Sequence, residues 1–222
     1  MSTWSLAAAM RPGIAAVKSH WRPLLVIQVF AAALVLAYYQ SQAVRDALQG
    51  LSDLKARSGI LFAFVAGFLA GGVFPEIAKL LVRQPNHRFA DAMFNGFAYG
   101  TLGILIDRFY ILQGVWFGHG IDIGTLVKKN LVDMGLAAPI VFIPYVVGLF
   151  EWRRKGHREA AKMFSWLGYR DKVLPAMLPN WAFWIPVLFC VYAMPPNLQF
   201  SLSTLAEAAW SIVFVFIATN DH

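Results

Sequence analysis

Glu207 lies in the middle of the apolar run LQFSLSTLAEAAWSIVFVFIA, and Asp107 and Arg108 lie toward the end of another, AMFNGFAYGTLGILIDRFYILQ. A third run carries Glu76 and Lys79 one helical turn apart, and Asp133 opens a fourth. A charged side chain at the centre of a bilayer costs about 3 kcal/mol or more, so each of these residues needs a reason to be there. One reason is functional: Glu207 and Arg108 would face a polar path or a cavity that takes a small solute or ion. The other is structural, an ion pair or a carboxyl kept neutral by desolvation. The structural reading suits Glu76, Lys79 and Asp107, which can all reach an interface. For Glu207 and Arg108 the two readings stand level. Guanidinium stays protonated, so Arg108 requires an anion, carbonyls or water. Glu207 is the candidate partner if their helices touch, because Asp107 points about 100° away from its neighbour on a helix. Asn180 is a further polar candidate for a cavity mouth, although anchoring and packing explain it as well.

Other chemistries find little support. His20, His87, His119, His157 and His222 fall in loops or at termini, which argues against a pair of haem-ligating histidines inside the bilayer. No Cys/His cluster has zinc spacing, and no serine sits in a nucleophile elbow. His119 and Asp122 have the types of a metal pair, but a solvated glycine-rich loop accounts for them better. The chain therefore reads as non-enzymatic, with no metal site and no cofactor assignable.

The elements that must position these residues are the apolar runs. The chain is 59% hydrophobic and only 14% charged. Its apolar residues gather in long stretches, about 23–40, 59–81, 92–113, 134–150, 175–194 and 198–218. Each is near the ~20 residues that an α-helix needs to cross a hydrocarbon core. Only a helix or a closed barrel satisfies its backbone in lipid. The expected fold is therefore an all-α integral membrane bundle of about six spans, forming one domain over residues 1–222. Pro195-Pro196-Asn197 separates the last two spans, since proline lacks an amide donor and restricts the residue before it. Gly67 and Gly71, and again Gly96 and Gly100, have the spacing that lets helices approach closely. Pro75 should kink its helix, with a neighbour satisfying the freed carbonyl. Trp181, Trp184 and Trp210 suit interface anchors. In QAVRDALQGLSDLKAR, Val44, Leu48 and Leu51 recur at helical spacing and predict a short amphipathic helix on the membrane or the bundle. Residues 1–22 suit a surface-lying helix, and WRRKGHREAAKMFSWLGYRDK an interfacial basic-aromatic segment.

The net charge of +7 does not point to nucleic acid, because no recognition motif accompanies it. With six spans, twelve Lys and Arg flank one side and five the other, which places both termini on the cytoplasmic side.

Three stretches resemble one known family, the peroxisomal membrane protein and mitochondrial inner-membrane channel (Mpv/PMP) family. Asn180, Trp184, Pro196 and Trp210 fall in register with its C-terminal signature, while Ile185, Leu188, Val191 and Phe200 stand at positions that are Pro or polar there. Gly103 and Tyr110 keep the spacing of its Gly-Pro…Trp-Tyr element, with Ile104 and Phe109 substituted. Asp133, Gly135, Ala138 and Pro139 match its Asp-Gln-Gly…Ala-Pro element, with Met134 in place of Gln. The family is described with four spans, so the run at 59–81 looks like an addition. The resemblance implies a channel for small solutes or ions in a bacterial inner membrane or an organelle membrane. Loss of the family's polar positions keeps a second expectation open, a non-catalytic subunit of a larger membrane complex. The expected partners are the lipid bilayer, with other membrane subunits or further copies of the chain.

Overall fold

The computed structural model describes the backbone of residues 6–83, 88–162 and 165–220, and their side chains except at 6–9, 12, 16, 159, 160 and 213–220. These residues form helices α1 (Leu6–Gln40), α2 (Gln42–Ser58), α3 (Ile60–Leu81), α4 (Phe89–Phe117), α5 (Ile123–Lys155), α6 (His157–Ala161), α7 (Trp166–Ala193) and α8 (Pro196–Asn220). No strand occurs among the described residues. The chain is an all-α helical membrane protein. Within α1, α3, α4, α5 and α7 lie five stretches long and apolar enough to cross a bilayer, the first from Val17 to Gln40. That is five among the described residues, not the expected six. The sixth expected span, 198–218, falls on α8, whose side chains from 213 onward lie outside the described residues. Within these stretches only 17–39% of residues are buried inside the chain. Val26, Phe30, Leu61, Leu131 and Ile140 turn outward. Apolar side chains on that scale face lipid.

Most helices run beyond the apolar stretches that mark them. The first is continuous with the segment expected to lie on the surface, and it bends at His20 (φ −118°, ψ 19°). Pro23 supplies the cause, because it cannot donate to Ser19 and its ring crowds the preceding turn. The glycine-rich loop shrinks to residues 118–122, between α4 and α5. There Asp122 caps α5 by accepting from the Thr125 amide at 3.0 Å, and hydrogen bonds from Thr125 hold its carboxyl below the usual range. His119 packs on Gly114, where an added Cβ would lie 2.4 Å from its ring. The two residues considered as a metal pair thus have structural roles. The basic-aromatic segment is not one continuous helix. It divides between the ends of α5 and α7 and the short α6. Glu151 binds Arg154 and Lys172, and Arg153 binds Asp91.

Four further prolines within the spans free carbonyls that other helices satisfy. At Phe74 and Ile143 the amide reaches back five residues, to Leu69 and Ala138, so both regions are wound as π-helix, over Leu69–Val73 and Asp133–Phe142. In that register Pro75, Pro139 and Pro144 leave the carbonyls of Ala70, Met134 and Pro139 without their amides. Each carbonyl receives a donor from another helix: Ser211 Oγ on Ala70 at 2.9 Å, Trp181 Nε1 on Met134 at 2.9 Å, and Tyr169 OH on Pro139 at 3.1 Å. In α7, wound as α-helix around Pro186, the freed carbonyl is that of Ala182, and Gln28 Nε2 donates to it at 2.8 Å. Lipid offers no donor to an orphaned carbonyl, so these bonds fix which helices must touch.

Helices α3 and α4 meet through their glycines. A Cβ at Gly67 would fall 2.4 Å from the Tyr99 carbonyl oxygen, and one at Gly72 would fall 2.5 Å from Gly96 Cα. Gly71, Gly96 and Gly100 lie against the rings of Tyr99, Phe68 and Phe64. Backbone cannot yield as a side chain does, so Gly67→Ala should cost about 1–3 kcal/mol of stability in detergent. Gly50→Ala, where nothing lies within 4 Å, should cost nothing measurable or stabilise α2. Equal melting temperatures for the two variants would overturn this account of the α3–α4 contact.

Candidate functional site

A cavity of about 250 Å³ opens between α4, α5, α7 and α8. Its lining includes Tyr99 and Tyr110 from α4, Asp133 from α5, Asn180 and Trp184 from α7, and Glu207 and Trp210 from α8. The remaining walls are mainly aliphatic, and no Lys, Arg or His is among them. The π-helical stretch of α5 forms one wall, and its widened turns set Asp133 and Met134 toward the space. Five of the residues singled out from sequence, Glu207, Asp133, Asn180, Trp184 and Trp210, therefore share one cavity.

Behind that wall the polar groups form a chain. Tyr192, 1% exposed, donates its hydroxyl hydrogen to Asp133 Oδ2 at 2.5 Å. Gln113 Nε2 donates to the Tyr192 oxygen and to the Lys129 carbonyl, both at 3.0 Å. The Lys129 ammonium, on a side chain among the most deeply buried, stands 5.4 Å from the centre of the Tyr192 ring. Tyr110 meets the same ring edge-on at 5.3 Å. One carboxylate oxygen of Asp133 is thus held from behind while the residue borders the cavity. Glu207 differs, since no ion pair or hydrogen bond reaches its carboxyl among the described residues. Asn180 Nδ2 points at Met134 Sδ, 3.6 Å away.

Arg108 is not part of this site. It folds back on Asp107 at 3.1 Å with 49% of its side chain exposed, beside an outer apolar groove. The Arg108–Glu207 pairing expected from sequence does not form. An arginine side chain is long enough to reach its neighbour's carboxylate despite the angle between them, and its head stays at the surface. Asp107 itself is 1% exposed, and Lys55 of α2 lies 2.7 Å from its other oxygen. Glu76 and Lys79 pair with each other at 2.5 Å, away from the cavity. The three tryptophans make specific contacts within the bundle. Trp181 donates to a proline-freed carbonyl, Trp184 and Trp210 line the cavity, and Trp210 stacks on Phe183 at 5.0 Å. Sequence reasoning missed Gln113, Lys129 and Tyr192. Lys129 reads as a loop charge and Gln113 as a span end, so neither carries a signal of burial.

An integral helical membrane protein with an acidic, aromatic-walled cavity inside its bundle is the class that this fold and site define. Compared with family models, curated proteins and solved structures, the chain matches none.

Proposed function

We propose that the chain is a channel-like membrane protein that passes small solutes or ions, with the cavity as its central chamber. One observation carries this reading: Glu207, Asp133 and Asn180, from three different helices, line the same space within the bundle. The resemblance to the Mpv/PMP family supports it, because Asn180, Trp184, Trp210, Tyr110 and Asp133, from all three resembling stretches, border that space. The chain is then a divergent member of that family, in a bacterial inner membrane or an organelle membrane. A carboxyl at mid-span attracts cations and repels anions. Glu207→Gln should therefore lower cation flux in liposomes by about tenfold or more, the effect of losing roughly 1.4 kcal/mol of attraction. Wild-type protein that conducts no better than empty liposomes would sink the channel reading.

A second reading, a subunit of a larger membrane complex, draws on an apolar groove of about 470 Å³ lined by α2, α3 and α8. It gains if no flux is found and other chains copurify in mild detergent. In either reading, with α8 counted as a sixth span, the loop charge asymmetry favours both termini on the cytoplasmic side. Ile121→Cys in a Cys190→Ser background should then react with a membrane-impermeant maleimide from outside, whereas Ser5→Cys and Asn220→Cys should not; labelling of positions 5 and 220 from opposite sides would rule out six spans. The reverse pattern would overturn the orientation.

A further inference from the structure

The composition of the cavity also bears on the kind of solute it takes, an inference that rests on the cavity being a binding chamber. Two carboxyls face it and no basic side chain does. A carboxylate withdrawn from water needs a cation, or it stays protonated. The buried or half-buried cations of the surrounding helices are engaged elsewhere: Lys55 and Arg108 with Asp107, Lys79 with Glu76, and Lys129 over the Tyr192 ring. A counter-charge that keeps Glu207 ionised would therefore come from outside the chain. The walls indicate its nature. Tyr99, Tyr110, Trp184 and Trp210 line the cavity, and the electron-rich faces of aromatic rings attract a cation most when it is weakly hydrated and has an apolar body. A strongly hydrated inorganic ion would exchange its water for a lining made mostly of carbon, with few oxygens to replace the shell. The cavity, at about 250 Å³, is smaller than those that enclose drug-sized ligands, which start near ~300 Å³. We propose that it is a binding site for a small organic monocation, an amine or quaternary ammonium, with Glu207 as counter-ion and the four rings as its cage.

The test uses purified full-length chain in a non-ionic detergent, with tetramethylammonium, choline and propylammonium as probes and calorimetry as readout. Choline should bind at least about tenfold more tightly than its neutral isostere 3,3-dimethylbutan-1-ol, a difference of one charge at constant shape. A large excess of potassium chloride should leave that preference in place. Glu207→Gln should weaken choline binding about tenfold, and Trp210→Leu should weaken tetramethylammonium more than propylammonium, because the rings contribute most where no ammonium hydrogen is available. Failure of all three cations to bind the wild type would overturn the proposal. So would equal binding of choline and the alcohol, or full displacement by potassium; these wild-type measurements do not depend on whether a variant folds. Ion flux without choline binding leaves the channel reading standing and removes this site. Choline binding without flux supports the site and removes the channel.

Discussion

Replacing Asp107 with alanine should cost about 3–5 kcal/mol of stability in detergent, the range for breaking a buried ion pair from one side. The carboxyl is 1% exposed, with Lys55 at 2.7 Å and Arg108 at 3.1 Å. Its two partners would respond differently to its loss. Arg108, half exposed, would turn outward to the interface, so Arg108→Gln alone should cost only about 0–1 kcal/mol. Lys55 is held by its place on α2, with 11% of its side chain exposed and the Phe200 ring 5.6 Å away. Without Asp107 its ammonium keeps that ring and no anion, and α2 loses its polar hold on α4. In a cycle of Lys55→Ala and Asp107→Ala, the double variant should lose much less than the sum of the singles. Additivity within about 0.5 kcal/mol would show that the two do not interact.

That pair marks where the sequence stops being legible. Glu76 and Lys79 are one helical turn apart, so spacing alone pairs them. Lys55 and Asp107 are joined only because α2 folds across the bundle, and nothing local foretells it. The spans themselves are readable because hydropathy over some twenty residues reports directly on burial in lipid. Their ends are less so: helices continue through polar turns, as α1 does through Lys18 to Arg22 and α5 from Ile123. Pro75 announces a bend, but that its turn would be π-wound and closed by Ser211 depends on contact with α8. The cavity was legible in part, because a polar residue in an apolar run is conspicuous. Glu207, Asp133 and Asn180 stand out for that reason. Tyr99 and Tyr192 do not, since an aromatic residue in a span looks like packing until its hydroxyl is placed. The tryptophans are ambiguous for a related reason: an indole satisfied by a buried carbonyl and one satisfied at the headgroups look the same in sequence.

Tyr192→Phe is the second substitution expected to have a large effect, roughly 2–5 kcal/mol, because it deprives two buried polar groups of one partner through a single oxygen. Asp133 would lose the donor at 2.5 Å, and Gln113 the acceptor at 3.0 Å. Gln113 would keep its bond to the Lys129 carbonyl, so the larger share should fall on Asp133, 2% exposed and bordering the cavity. The ring itself would remain, and with it the contacts to Tyr110 and to the Lys129 ammonium. Loss of stability would then report the hydroxyl rather than a hole in the core. A cycle separates the two partners: after Asp133→Ala, removing the hydroxyl should cost much less than in the wild type, whereas after Gln113→Leu much of the cost should persist. A loss below about 0.5 kcal/mol for Tyr192→Phe would mean that the chain of hydrogen bonds adds no net stability. It would also mean that Asp133 is held toward the cavity by the π-wound backbone of α5 alone.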